Sequence, residues 1–236
     1  MKSTSNRRLA AIMFTDIQGY TALMQSNEKK GLEMRKRHRE VFNSTTENFG
    51  GNILQYYGDG TLSIFDSVVN AVKCAHEMQL LFQSEPFVPV RIGIHLGDIV
   101  VKEDEVIGDA VNIASRIESM AVVGSVLVSD QVQRDLKNHE DIQTQSLGIY
   151  ELKNVSLPVE VFAITNIGLV IPESNQITGK VKPLHSNMEH NLPNAITSFI
   201  GRIGVIEKIK NLQLQYRLVT LYGPGGSGKT RLAVEI

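Results

Sequence analysis

Apolar positions along the chain recur with two periods, and their order predicts layered sheet and helices. LAAIMF (residues 9–14) is a continuous apolar run and predicts a buried strand. Residues 27–48 space Leu32, Val41 and Phe42, with Phe49 just beyond, along an amphipathic helix, and SVVNAVKCAHEMQLLF (67–82) predicts a second. Between them, Ile53 to Tyr57 and Thr61 to Phe65 are rich in β-branched and aromatic residues and flank Gly58-Asp59-Gly60, a strong hairpin signal. VRIGIHLGDIVV (90–101) predicts one or two further strands, AVNIASRIESM (110–120) a helix, SVLVS (125–129) a strand and VEVFAIT (159–165) a closing strand. The fold class expected is α/β (α+β): a ferredoxin-like βαββαβ layer with appended strands and helices.

From Asn166 to Asn191 the composition turns to Pro, Ser, Asn and Gly, which predicts a linker. Residues 1–165 then form one domain, and 192–236 begin another. GPGGSGKT, Gly223 to Thr230, has the spacing G-x-x-x-x-G-K-[ST], follows the strand-like LVTLY and precedes the helix-like RLAVEI. A phosphate-binding loop is expected in that context, with Gly223 and Gly228 shaping it, Lys229 reaching the β/γ-phosphates and Thr230 the Mg²⁺. With LPNAITSFIGR upstream, the segment resembles the start of the P-loop ATPase domains of large bacterial signalling regulators. The chain reads as a fragment of a longer protein, its own P-loop too incomplete for a working site.

Charge is balanced, with Lys+Arg 24 against Asp+Glu 25 and a net charge of -1, so no overall pull toward nucleic acid or membrane is expected. The basic run RKRHRE (35–40) lies within the first amphipathic helix and reads as a solvated face. A single cysteine, Cys74, rules out an intramolecular disulfide and points to the reducing cytoplasm. No apolar stretch approaches a membrane span, and Asp16 interrupts the N-terminal apolar run before it reaches signal-peptide length.

Asp59 in a turn is ordinarily explained by local chemistry, since Asp tolerates turn geometry. A second acid changes that. In a ferredoxin-like layer the first and second strands are parallel with the third between them, so the end of strand one and the following hairpin turn share one edge. Strand one ends in FTDIQGYT, which brings Asp16 to the rim occupied by Asp59. Two carboxylates repel unless a cation lies between them, and hard divalent ions suit such a pair. A two-metal arrangement serves in-line attack at phosphorus.

FTDIQGYT, GDGTLSIF and IGDAVNIASRIES together resemble the catalytic domain of class III nucleotidyl cyclases, the adenylate and guanylate cyclases. The resemblance covers residues 7–165. It implies attack of the ribose 3′-hydroxyl on the α-phosphate of a nucleoside triphosphate, giving a 3′,5′-cyclic nucleotide and pyrophosphate. Asp16 and Asp59 match the family's metal acids, with Ile17 beside them, for two Mg²⁺ or Mn²⁺ ions per site. The backbone through Gly19, Tyr20 and Thr21 would help hold the triphosphate. Asn112 and Arg116, four apart on one helix face, match the pair that binds ribose and stabilises the transition state. Lys153 in ELKNV aligns with a lysine that reaches the triphosphate, although the family usually has Gly where Asn154 stands, and a solvent-facing lysine is the equal alternative. His95 reads as structural; His38 and His76 carry no special context. The resemblance also implies a head-to-tail homodimer, the metal acids coming from one copy and the Asn/Arg pair and base-reading groups from the other.

The positions that read the base hold Gln55 and Glu105, where the family usually has Lys or Glu and then Asp, Thr or Cys. A Gln amide can donate to adenine N1 and a Glu carboxylate accept from N6, whereas Glu105 would repel guanine O6. ATP is the expected substrate, held less strongly than by Lys. The function expected is an adenylate cyclase coupled to a regulatory ATPase. The alternative is a catalytically weakened cyclase fold serving as a nucleotide-binding dimer module for that ATPase. A diguanylate cyclase relative would need a GGDEF-like hairpin, and YYGDGT is not one.

Overall fold

The computed structural model describes residues 6–102, 105–173, 175–177, 181–184, 203–216 and 218–234. The chain divides into two compact units between Ser186 and Asn187. The first runs β1 (Asn6–Ile17), α1 (Tyr20–Ser26), α2 (Glu28–Asn48), β2 (Asn52–Tyr57), β3 (Gly60–Phe65), α3 (Val68–Gln83), β4 (Val90–Lys102), β5 (Glu105–Ile107), α4 (Asp109–Met120), β6 (Val126–Ser129), α5 (Asp130–Leu136), β7 (Thr144–Leu152), β8 (Val159–Ile164) and β9 (Val181–Leu184). The second contains α6 (Ile203–Gln215) and α7 (Lys229–Val234).

The strands form one sheet in the order β2-β3-β1-β4-β6-β8-β7-β9, with β5 paired to β4. β3 is antiparallel to both β1 and β2. Strands one and two are therefore parallel with the third between them, as the ferredoxin-like expectation required. β1 is longer than the apolar run because its pairing with β4 continues from Asn6↔Val101 to Ile17↔Val90, carrying Asp16 into the ladder opposite Arg91.

Alternation sorts side chains to two faces. Met13, Phe65, Ile92, Ile94, Val126 and Val128 pack against Phe42 of α2 and Met78 and Phe82 of α3. On the other face Ala10, Ile12, Leu62, Ile64 and Ile99 receive Ala110 and Ala114 of α4. That helix lies very close to the sheet: a Cβ on Gly93 would fall 2.2 Å from the Glu118 backbone nitrogen, a contact only glycine avoids. The starts of α2 and α3 carry side-chain caps. Asn27 accepts from the Lys30 N–H at 3.0 Å and Ser67 from the Asn70 N–H at 3.3 Å.

Six elements, α1, β5, α5, β7, β9 and α6, were not foreseen. β9 lies within the stretch predicted as linker, yet it pairs with β7 from Ile149↔Leu184 to Leu152↔Val181. Conversely, residues 218–222, predicted as a strand, carry none, because no partner ladder exists for them among the described residues. Residues 192–202 lie outside the described residues. No helix among the described residues is long and apolar enough to cross a membrane.

Candidate active site

β1 delivers Asp16 and the β2–β3 turn delivers Asp59 to the same rim. Asp16 Oδ1 lies 3.7 Å from where a Cβ on Gly60 would stand, so its carboxylate rests against the hairpin. The Asp59 carboxyl is pushed above its ordinary range, first by burial and then by the charge of Asp16, with Arg91 and Arg35 opposing. Such a pair suits a cation, and one or two carboxylates completed by substrate phosphates is a usual setting for Mg²⁺. Among the described residues no cluster of three or more His, Cys, Asp or Glu adds further ligands. The Ile17 side chain is buried in the core, so only its backbone carbonyl can contribute.

Arg91 sits between the acids and α4. It forms an ion pair with Asp16, and its Nη2 lies 3.1 Å from Glu118 Oε1, near enough for attraction but out of line for a hydrogen bond. Its Nε is buried without an acceptor, so the guanidinium keeps donor capacity. Burial pushes Glu118 up to about 7; Arg91 opposes this, while Asp16 and Asp59 add to it. Sequence patterning missed both residues as members of the site. The register match Asp16↔Arg91 is the signal that exposes the first, and a buried acid on the sheet-facing side of α4 the second.

Asn112 and Arg116 are not brought to this rim. They lie about 160° around α4 from sheet-facing Ala114 at 3.6 residues per turn, with Asn112 exposed. Arg116 makes no ion pair among the described residues and its Nε is buried without a partner. One chain thus presents the acids on one side of α4 and the Asn/Arg pair on the other.

Gln55 reaches the Asp16 face through a bulge. Ile53 pairs with Ser63 but Gln55 with Leu62, leaving Leu54 as the extra residue. Leu62 pairs with Phe14, two residues before Asp16, so Gln55 shares the face of Asp16 instead of entering the α2–α3 core. Beside it Tyr57 stacks on Phe14 with centroids 6.2 Å apart, and Tyr57 is partly exposed. Glu105 opens β5 opposite Lys102; its side chain lies outside the described residues.

Gly19 adopts φ 78 ahead of α1, the left-handed turn its position demands, while Tyr20 is buried and Thr21 exposed. Lys153 is exposed in the turn after β7, followed by Asn154 at φ 64. Asn is among the few non-glycine residues that tolerate this conformation, which accounts for its standing in place of Gly. We expect Asn154→Gly to be neutral within about 0.5 kcal/mol and Asn154→Val to destabilise by about 1–2 kcal/mol in denaturant titration.

Two buried histidines add a pH dependence. Burial first, then Arg39, lowers His38 to about 4; burial also lowers His95, whose Nδ1 contacts Ser129 Oγ at 2.8 Å, to about 4. Both stay neutral in the fold but charge near pH 6.5 when unfolded. Their stabilisation is therefore present above 6.5 and lost as pH falls toward 4, on the order of 3 kcal/mol each. Glu118 has the opposite sign, its contribution being present below pH 4.5 and lost as pH rises through 7. Unfolding midpoints should fall on acidification, and Glu118→Gln should exceed wild type at pH 7.5 but converge with it by pH 4.5.

In the second unit, Lys229 Nζ donates to the carbonyls of Gly223 at 3.0 Å and Pro224 at 2.8 Å, curling over the loop that also holds Gly228. Thr230 follows in the first turn of α7 and is exposed.

Comparison with known proteins gives the family. The family described as the adenylate and guanylate cyclase catalytic domain matches residues 3–166. A putative adenylate cyclase 3 of Rhizobium meliloti is 35% identical over 169 residues, covering 68% of this chain and 29% of the relative. An adenylate cyclase of Anabaena cylindrica is 27% identical, covering 64% and 38%. The chain thus spans about a third of the length of these curated relatives. A crystal structure described as an adenylate/guanylate cyclase/hydrolase from Silicibacter pomeroyi superposes with a TM-score of 0.64 at 35% identity, covering 69% of this chain and 99% of that one. From its ordered motifs, its sheet and the paired acids at its rim, the chain belongs to the adenylate and guanylate cyclase catalytic domain family.

Proposed function

We propose that the first unit is an adenylate cyclase that converts ATP to 3′,5′-cyclic AMP and pyrophosphate in sites shared by two head-to-tail copies. The observation that carries this reading is the division of functional groups by α4. Asp16, Asp59 and Arg91 face one way, while Asn112 and Arg116 face the other. A second copy supplies what each rim lacks.

Asp16, Asp59 and the Ile17 carbonyl would hold two Mg²⁺ or Mn²⁺ ions together with phosphate oxygens. When bound, these ions would lower the pKa of the attacking 3′-hydroxyl and neutralise charge gathering at the α-phosphate. Arg116, with a permanent charge and an unpaired Nε, stabilises the pentavalent phosphorus, and Asn112 orients the ribose. Arg91, beside Asp16 and with an unpartnered Nε, would contact the triphosphate. The backbone of Gly19, Tyr20 and Thr21, with Lys153, lies along the triphosphate. Gln55 donates to adenine N1 and Glu105 accepts from N6. Residues 223–230 begin a nucleotide-binding ATPase domain coupled to the cyclase.

The test is incubation with ATP or GTP and Mn²⁺, with products identified by mass. Cyclic AMP in excess over cyclic GMP is expected, and Gln55→Lys should lower the KM for ATP by restoring a charged donor. Preference for GTP would overturn the base assignment. Nucleotide binding without turnover would favour the weakened-module reading that Gln55 and Glu105 keep open.

A further inference from the structure

Beneath the rim, side chains from α2, β1 and β3 meet in a polar contact sealed from solvent. His38 is fully buried, its ring stacked near-parallel with Phe82 at 5.3 Å and Phe42 at 6.2 Å. Its Nε2 lies 2.9 Å from Thr15 Oγ1, which lies 2.6 Å from Thr61 Oγ1. Thr15 and Thr61 are register partners and both are buried. Thr15 immediately precedes Asp16, and Thr61 follows Asp59 by two positions. The contact therefore ties together the two segments that present the metal acids.

Burial keeps the ring neutral. With its proton on Nε2, His38 donates to Thr15 and leaves on Nδ1 only a bare lone pair, less costly to bury unpaired than an N–H; Nδ1 has no partner. Packing alone does not call for this chemistry, since valine has nearly the shape of threonine. What valine cannot reproduce is the distance. Hydroxyl oxygens meet at 2.6 Å here, whereas apolar carbons in contact stay about 4 Å apart. The hydroxyl pair thus joins the ends of β1 and β3 by a directional hydrogen bond that apolar side chains cannot make, next to the residues that carry the carboxylates.

We propose that His38, Thr15 and Thr61 form a positioning clamp that sets the spacing of Asp16 and Asp59 for divalent cations. The proposal rests on the two-metal reading above. Mg²⁺ demands near-ideal geometry at about 2.0–2.1 Å, so a small widening of the rim matters to it. His38 touches neither substrate nor metal, and it acts through the two threonines.

The discriminating protein is the triple variant His38→Phe, Thr15→Val, Thr61→Val, in which no member of the contact is left unpaired. The single variant Thr61→Val serves should the triple fail to fold. Three quantities are read on each: the denaturation midpoint, amide exchange at Gly60 and Thr61, and Mn²⁺ binding to the nucleotide-free protein by electron paramagnetic resonance. The Mg²⁺ half-saturation of cyclisation follows as a fourth. The clamp predicts a midpoint near wild type in the triple variant, faster exchange at the hairpin, and Mn²⁺ and Mg²⁺ half-saturation raised about tenfold or more, the size typical of lost support around metal ligands. KM for nucleotide at saturating metal should change little. A folded variant with wild-type exchange and wild-type metal affinity overturns the proposal and leaves the triad as core packing. If wild type takes up no Mn²⁺ either alone or with a 3′-deoxy ATP analogue, the two-metal reading fails, and hairpin exchange alone decides whether the triad holds the rim.

Discussion

Asp16→Ala is expected to lower cyclic nucleotide formation by at least about 10²–10³-fold while leaving the fold intact, because on the proposed two-metal reading it removes a cation ligand and a preorganised charge from the reacting centre. The fold should survive because Asp16 lies at the end of β1 with its side chain partly exposed, and Arg91 keeps Glu118 as a partner. A second consequence follows at Asp59. Without the neighbouring charge its carboxyl should titrate nearer the ordinary range, since the Asp16 charge is the second cause of its elevation. Turnover under saturating ATP and Mn²⁺, with circular dichroism as the fold control, measures the effect. A folded Asp16→Ala protein that cyclises ATP at the wild-type rate would remove the acid pair from the reaction.

Mixing two inactive variants should restore activity. Asp59→Ala lacks one metal acid, and Arg116→Ala should itself lose about 10²-fold or more. In a mixed dimer, one composite site carries both lesions and the other none. Random exchange of equal amounts makes half the dimers mixed, so the recovered rate should approach about a quarter of wild type in a two-fold assembly. Continued inactivity, with mixed dimers demonstrated, would place Arg116 and the acids in separate roles within one copy.

Sequence patterning carried the centre of the fold and the acid pair because both depend on long, strongly periodic elements. Once the βαββαβ order is read, chain connectivity alone brings Asp16 and Asp59 to one edge. The 3.6-residue period put Asn112 and Arg116 on one helix face, and the family resemblance already implied that they serve the acids of another copy. What escaped had weak or broken periodicity. β7 shifts register between Ser146 and Gly148, which spoils its alternation. β9 is four residues long and contains Pro183, tolerated because it is an edge strand. The bulge at Leu54 reverses the face of Gln55 without any sequence mark. Arg91, Glu118 and His38 are single polar residues in apolar surroundings, and only cross-strand register and helix packing give them partners.

The antiparallel pairing of β9 on β7 has a mechanical consequence. Four strands stand between β9 and β1 in the sheet order, so tension or torsion arriving along the polypeptide beyond Leu184 is borne first by the rungs Ile149↔Leu184 to Leu152↔Val181. Rungs pulled along the strand share the load, whereas rungs pulled sideways give way singly, each in turn. The gap between Asp16 and Asp59 is therefore separated from a pull at Leu184 by the ladders of four intervening strands.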